Sequence, residues 1–173
     1  MQVIIFDSAQ QVAENAAQWV AELINKKPNP VLGLATGSTP ISLYKQLVNK
    51  HKAGELSFKN TTSFNLDEYL GIDANNAQSY RHFMNENLFD HVDIDKSKTY
   101  LPTCNQGENP RAQGLAYEEK IKQADGVDLQ ILGIGANGHI GFNEPGSHFN
   151  SGTRSITLDH ITRIDAAPTF LGI

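Results

Sequence analysis

Short β-rich apolar runs alternate with longer segments of helical period along almost the whole chain, and this rhythm restricts the fold more than any other feature. Val3 to Phe6 reads as a strand. Ser8 is placed to cap a following helix whose inner face is Val12, Ala16, Val20 and Leu23. Pro28 and Pro30 end that unit, and Val31 to Leu34 begins the next strand. Thr36-Gly37-Ser38-Thr39-Pro40 then turns into a helix with Ile41, Tyr44, Leu47 and Val48 facing inward. Thr62 to Leu66 is a third strand, and helices are expected over Ser79 to Asp90 and Pro110 to Gln123, with a short strand at Thr99 to Leu101 between them. Val127 to Leu132 is a buried strand followed by a glycine-rich loop, and Arg154 to Leu158 has the character of one more strand. The order predicts a Rossmann-like α/β fold: an open, mostly parallel sheet with helices on both faces, in one domain over residues 1–173.

Charge narrows the partners. The formal net charge is −5 and Lys and Arg never form a basic run, so no nucleic acid is expected, while a small anion can still be held by a local site. No apolar stretch approaches the roughly 20 residues of a membrane span, so no membrane partner is expected. The apolar run at the N-terminus is cut by Asp7 and has no basic lead, unlike a signal peptide. Cys104 is the single cysteine, which rules out an intrachain disulfide and suits a reducing, cytoplasmic setting.

In open parallel sheets, ligands sit beyond the carboxyl ends of the strands. Three unusual clusters fall at such ends. In the first, Thr36 to Pro40, Gly37 permits close backbone approach, Ser38 and Thr39 offer hydroxyls, and Pro40 suits the first helical position. The helix start would cradle an anion; the alternative is a plain cap made by Ser38 or Thr39. No Lys follows, so this is not a nucleotide-binding Walker loop. In the second, Asp67 and Glu68 follow a strand directly, where a carboxylate can act as base on a carbon-bound proton or merely cap a turn.

The third cluster, Gly133 to Gly138, fits G-x-G-x-x-G after a strand, and Asp159 lies at about the distance of a ribose contact. A dinucleotide fingerprint needs a helix next, yet Gly141, Pro145 and Gly146 follow. His139 and Glu144 suggest instead an imidazole with a carboxylate partner, suited to proton transfer at a sugar ring oxygen. Metal ligation by His139, Glu144 and His148 is the competing reading, but the spacing matches no zinc pattern and no cysteine assists. His51, His82, His91 and His160 read as structural.

Together Ala35 to Pro40, Phe64 to Tyr69 and Gly138 to Pro145, with Ser79-Tyr80 and Phe89 to Val92, closely resemble the glucosamine-6-phosphate deaminase family. Sugar lactonases share a Gly-His loop without Phe-Asn-Glu-Pro. The resemblance implies that Asp67 moves a proton between C2 and C1, that His139 opens the pyranose ring and that Glu144 orients it. Asn137 stands in this relay where many members carry Asp, and some shorter members also carry Asn. Thr36, Gly37, Ser38 and Thr39 would hold the phosphate, and Glu68 is grouped with the substrate-binding residues.

The implied reaction converts glucosamine 6-phosphate and water into fructose 6-phosphate and ammonium with no metal or redox cofactor. Two rivals remain: a deaminase of the galactosamine epimer, and a non-catalytic sugar-phosphate-binding module. His148 and Ile156 depart from the amino-sugar regulatory site of some members, so control by N-acetylglucosamine 6-phosphate is not expected. The family commonly carries an Arg near the present Pro168 and continues for some tens of residues, adding strands and a phosphate-contacting Lys. A chain ending at the apolar Phe170 to Ile173 is therefore expected to be weakly active and open to association into a homo-oligomer.

Overall fold

A computed structural model describes residues 1–171. The expectation tied to the apolar end, Phe170 to Ile173, concerns side chains outside the described residues. The elements are α1 (Ala9–Lys26), β1 (Val31–Leu34), α2 (Pro40–Lys52), β2 (Thr62–Asn65), α3 (Tyr80–Asn87), β3 (Thr99–Tyr100), α4 (Pro110–Gln123), β4 (Leu129–Gln130) and α5 (His160–Leu171). All three ladders are parallel, in the order β3-β2-β1-β4, so every strand points its carboxyl end to the same edge. The loops after β2, β1 and β4 are thus neighbours, and they carry the three clusters singled out in the sequence.

The pleat sorts the core into two layers. Leu32 and Leu34 face α1, α2 and α3, packing with Val20, Tyr44, Leu47 and Met84. Val31 and Phe64 face the other way, with Tyr117 of α4. Helices therefore cover both faces, as the α/β rhythm requires. Gly33 admits the Gln130 side chain so closely that a Cβ there would lie 1.9 Å from Oε1.

Two buried tyrosines fix the functional edge. Tyr44 of α2 donates its hydroxyl to the Ala35 carbonyl, anchoring the chain as it leaves β1. Tyr117 of α4 donates to the Asn65 carbonyl at 2.7 Å, anchoring the end of β2. Each bond satisfies a buried carbonyl and costs little water exposure, so the loops leave a rigid frame.

Several expectations shift. Val3 to Phe6 forms no strand among the described residues; Val3 and Ile5 are 70% and 89% exposed. An apolar β-rich run becomes a strand only when another strand supplies its ladder. On α1, Ser8 accepts from the Gln11 N–H as the cap, but the buried stripe is Ala13, Ala17, Val20, Ala21 and Ile24, with Val12 half exposed. Ile41 likewise turns outward on α2, and Leu43 packs in its place.

Arg154 to Leu158 is a loop held by side chains rather than a strand. Thr153 donates its N–H and hydroxyl to Glu118, and Arg154 reaches Asn143 and Ser147. Asp159 then accepts from the Ile161 N–H and starts α5, where the sequence reading assigned no helix.

Candidate active site

The loop after β1 turns at Gly37, whose φ of +104° lies in the region that glycine adopts without strain. Thr39 occupies the cap position of α2 with Pro40 behind it, yet no side chain caps the helix among the described residues. The plain-cap alternative for Ser38 and Thr39 is therefore not realised. Gly37, Ser38 and Thr39 are exposed, and the open helix start, with its dipole, is arranged to receive an anion.

At the end of β2, the Asp67 carboxyl lies against Leu66 and Gly141, and a Cβ on Gly141 would come 3.3 Å from Asp67 Oδ2. Burial pushes this carboxyl up to about 7, the Glu68 charge adds to the rise, and the Phe142 backbone N–H opposes it. A carboxylate balanced near neutrality can take a proton from carbon and later return it.

Glu68 points elsewhere. Its Oε1 accepts the Tyr69 and Tyr80 N–H groups at 2.9 and 3.0 Å, and its Oε2 accepts the Arg81 N–H at 2.9 Å. Both oxygens are committed to the first turn of α3, where a negative charge also suits the helix dipole. The carboxylate expected among the substrate-binding residues is thus used in capping α3. This signal was hidden because α3 starts 12 residues farther along the chain.

The glycine-rich loop is a histidine turn. The Gly135 N–H donates to the His139 carbonyl at 2.8 Å, and the Gly138 N–H to the Gly135 carbonyl at 2.9 Å. A Cβ on Gly135 would lie 2.1 Å from the His139 ring, so this glycine makes room for the imidazole. No helix follows the loop before α5, which removes the dinucleotide reading of G-x-G-x-x-G.

The His139 network extends through Asn137. Asn137 Nδ2 donates to Glu144 Oε2 at 2.8 Å, leaving Asn137 Oδ1 to accept from His139 Nδ1 at 2.7 Å and from the His139 backbone N–H at 3.1 Å. This orientation puts the imidazole proton on Nδ1 and leaves Nε2 as the basic nitrogen. The expected His139–Glu144 pairing is thus indirect, bridged by the amide.

Glu144 is held below the usual carboxylate range, chiefly by a hydrogen bond from Thr162, with Asn137, the Asp159 N–H and the His139 charge assisting. Thr162 also lies 3.3 Å from His139 Nδ1. Neither Thr162 nor Asp159 was singled out as a partner from sequence, and no spacing rule links Thr162 to a histidine 23 residues earlier.

Among the described residues, no group of three His, Cys, Asp or Glu side chains gathers to hold a metal. His148 offers its backbone carbonyl to Ser151 and takes no part in the His139 network. A cavity of about 410 Å³ lies under residues 151–158 and reaches Asp67 and Phe142, but neither His139 nor the Thr36–Thr39 loop lines it. The chemistry-bearing groups converge instead at the open carboxyl edge of the sheet. No described helix is long and apolar enough to cross a membrane.

Comparison with known proteins gives the family. A profile of the glucosamine-6-phosphate isomerases/6-phosphogluconolactonase family matches residues 6–148. A glucosamine-6-phosphate deaminase of Colwellia psychrerythraea is 78% identical over 98% of this chain, and one of Pseudoalteromonas translucida is 56% identical over the same share. The chain spans 63% of the length of each. The solved structure of a monomeric glucosamine-6-phosphate deaminase superposes with a TM-score of 0.94 at 40% identity, covering 98% of this chain and 70% of that one. With that profile covering most of its length and the parallel sheet shared with a solved relative, the chain belongs to the glucosamine-6-phosphate isomerase/6-phosphogluconolactonase family.

Proposed function

We propose that this chain carries the catalytic centre of a glucosamine-6-phosphate deaminase. The carrying observation is the Asp67 carboxyl, buried on the Phe142 N–H and raised to about 7, at the same edge as the His139–Asn137–Glu144 network. The phosphate end of the substrate sits on the Thr36-Gly37-Ser38-Thr39 loop, with Ser38 and Thr39 hydroxyls and the α2 N–H groups as donors.

His139 Nε2 takes the hydroxyl proton at C1 and passes it to the ring oxygen as the bond between C1 and that oxygen breaks, opening the pyranose. Asp67 then removes the proton at C2 and delivers it to C1. The electron pair of the broken C2–H bond forms the C1–C2 double bond of an enolamine while the carbonyl pair moves onto the C1 oxygen, which takes a proton from the C2 ammonium. Protonation at C1 leaves an iminium at C2, and water adds there to release ammonium and fructose 6-phosphate. The C1 carbonyl oxygen accepts the electron pair when C2–H breaks, and the nitrogen lone pair then drives protonation at C1, so this scheme calls for no cofactor.

The substrate class places the protein with small phosphorylated metabolites, consistent with a cytoplasmic setting. Similarity to a monomeric deaminase supports a single chain as the working unit, over the association expected from sequence. The test is release of ammonia and fructose 6-phosphate by purified protein, run in parallel with galactosamine 6-phosphate. Turnover of the galacto epimer alone moves the assignment to that substrate. Binding of both without turnover makes the site a sugar-phosphate sensor.

A further inference from the structure

Three loops leave the sheet edge, and one side chain outside the proposed chemistry touches the elements that hold all of them. Tyr80 is the first residue of α3. Its N–H is held by Glu68, the residue after the base. Its hydroxyl donates to the Tyr69 hydroxyl at 3.2 Å in the turn after β2 and lies close enough to the Thr36 side chain, in the loop after β1, to feel its dipole. Its ring lies 4.9 Å from the Tyr69 ring and 5.7 Å from the Phe142 ring, which is itself 5.4 Å from Tyr69. The Phe142 N–H in turn bonds the Asp67 carboxyl.

We infer that Tyr80 is a positioning residue that sets the spacing between the phosphate loop and the base, so that a sugar anchored by its phosphate presents C2 to Asp67. The inference rests on the deaminase reading and deepens it. A continuous path of contacts, Thr36 to Tyr80 to Tyr69 and Phe142 to Asp67, joins the two ends of the substrate site without touching the reacting carbons. Anchoring a substrate at one end helps reaction at the other only if the distance between anchor and base is fixed, since a misplacement of about 1 Å can cost on the order of a hundredfold in rate. All five residues of the path are half-buried and its three rings pack on each other, which suits a spacer better than a solvated surface residue.

The test is Tyr80→Phe, which deletes the hydroxyl and keeps the ring cluster. Turnover of glucosamine 6-phosphate is measured at matched folded concentration, and affinity for glucitol 6-phosphate, which reads the phosphate site without chemistry, is measured by calorimetry. The expected result is a fall in kcat of about tenfold with glucitol 6-phosphate affinity within about threefold of wild type. Equal losses in kcat and affinity would make Tyr80 a simple support of the phosphate loop and overturn the inference, as would a kcat within twofold of wild type. If Tyr80→Phe does not fold, Tyr69→Phe breaks the next link of the path and decides by the same split: kcat lost with affinity kept supports the spacer, kcat kept overturns it. Wild-type protein that binds glucitol 6-phosphate but never turns over glucosamine 6-phosphate refutes the deaminase reading itself, a result distinct from an unaffected Tyr80 variant.

Discussion

Replacing Asp67 with Asn should remove catalysis and strengthen the fold in the same variant. The carboxyl titrates at an ordinary 3.8 when unfolded and at about 7 when folded. The folded state therefore holds the proton more tightly, and each unit of separation costs about 1.36 kcal/mol once the group must ionise. Below about pH 4 both states are protonated and the carboxyl costs nothing; as pH rises from about 4 to 7 the unfolded chain gains stability; above about 7 the full cost is present.

Three units would give about 4 kcal/mol, and since Asp67 is not wholly shielded from water, about 2–4 kcal/mol is the working range. Asn fills nearly the same space, keeps an oxygen for the Phe142 N–H and is never ionised. Asp67→Asn should therefore melt roughly 5–10 °C higher than wild type at pH 8 and nearly level with it at pH 4. Because the amide cannot accept a carbon-bound proton, exchange of the substrate C2–H with deuterated solvent should fall at least about a hundredfold. The two assays are proton NMR of the exchange and thermal melts across pH 4–8. Exchange at the wild-type rate would remove Asp67 as the base, and a melting difference that does not widen between pH 4 and 7 would refute the burial argument.

Other variants separate the remaining roles. His139→Gln should slow turnover of the cyclic sugar by about a hundredfold while weakening an open-chain amino-alditol phosphate much less, since the role proposed for the imidazole precedes the linear sugar; equal losses would make it a structural histidine. Gly135→Ala puts a methyl where the His139 ring lies, so turnover should drop as in His139→Gln, with the melting temperature showing whether the loop survives. Glu68→Ala strips three backbone N–H groups of their acceptor and should cost about 1–2 kcal/mol in urea unfolding. Its Michaelis constant at matched folded concentration should stay within about threefold, and a tenfold rise would return Glu68 to the substrate.

The parallel sheet and three of its edge loops were legible because their signals are local. Val31 to Leu34 is a continuous apolar run bounded by Pro30 and the Thr36–Pro40 turn, and Pro110 begins α4 where a proline at a helix start should. Residues whose roles depend on distant partners were misread. Val3 to Phe6 has strand composition but no ladder among the described residues. Arg154 to Leu158 alternates like a strand, while its neighbour Thr153 is fixed by Glu118, 35 residues away. Glu68 follows Asp67 directly in sequence, and the service of its carboxylate to the start of α3 is visible only in the fold. For Asn137 the sequence placed it in the relay, but only the structure gives the direction of its amide, and with it the tautomer of His139.

The central claim, that this edge of the sheet isomerises and deaminates an aminohexose phosphate through Asp67, is tested most directly by following glucosamine 6-phosphate in deuterated water with purified wild-type protein. Ammonium and fructose 6-phosphate are expected in equal amounts, with solvent deuterium exchanged into the substrate at C2 or delivered to product C1, and with loss of both signals in Asp67→Asn. Ammonium released without fructose 6-phosphate, or both products formed at the wild-type rate by Asp67→Asn, would contradict it.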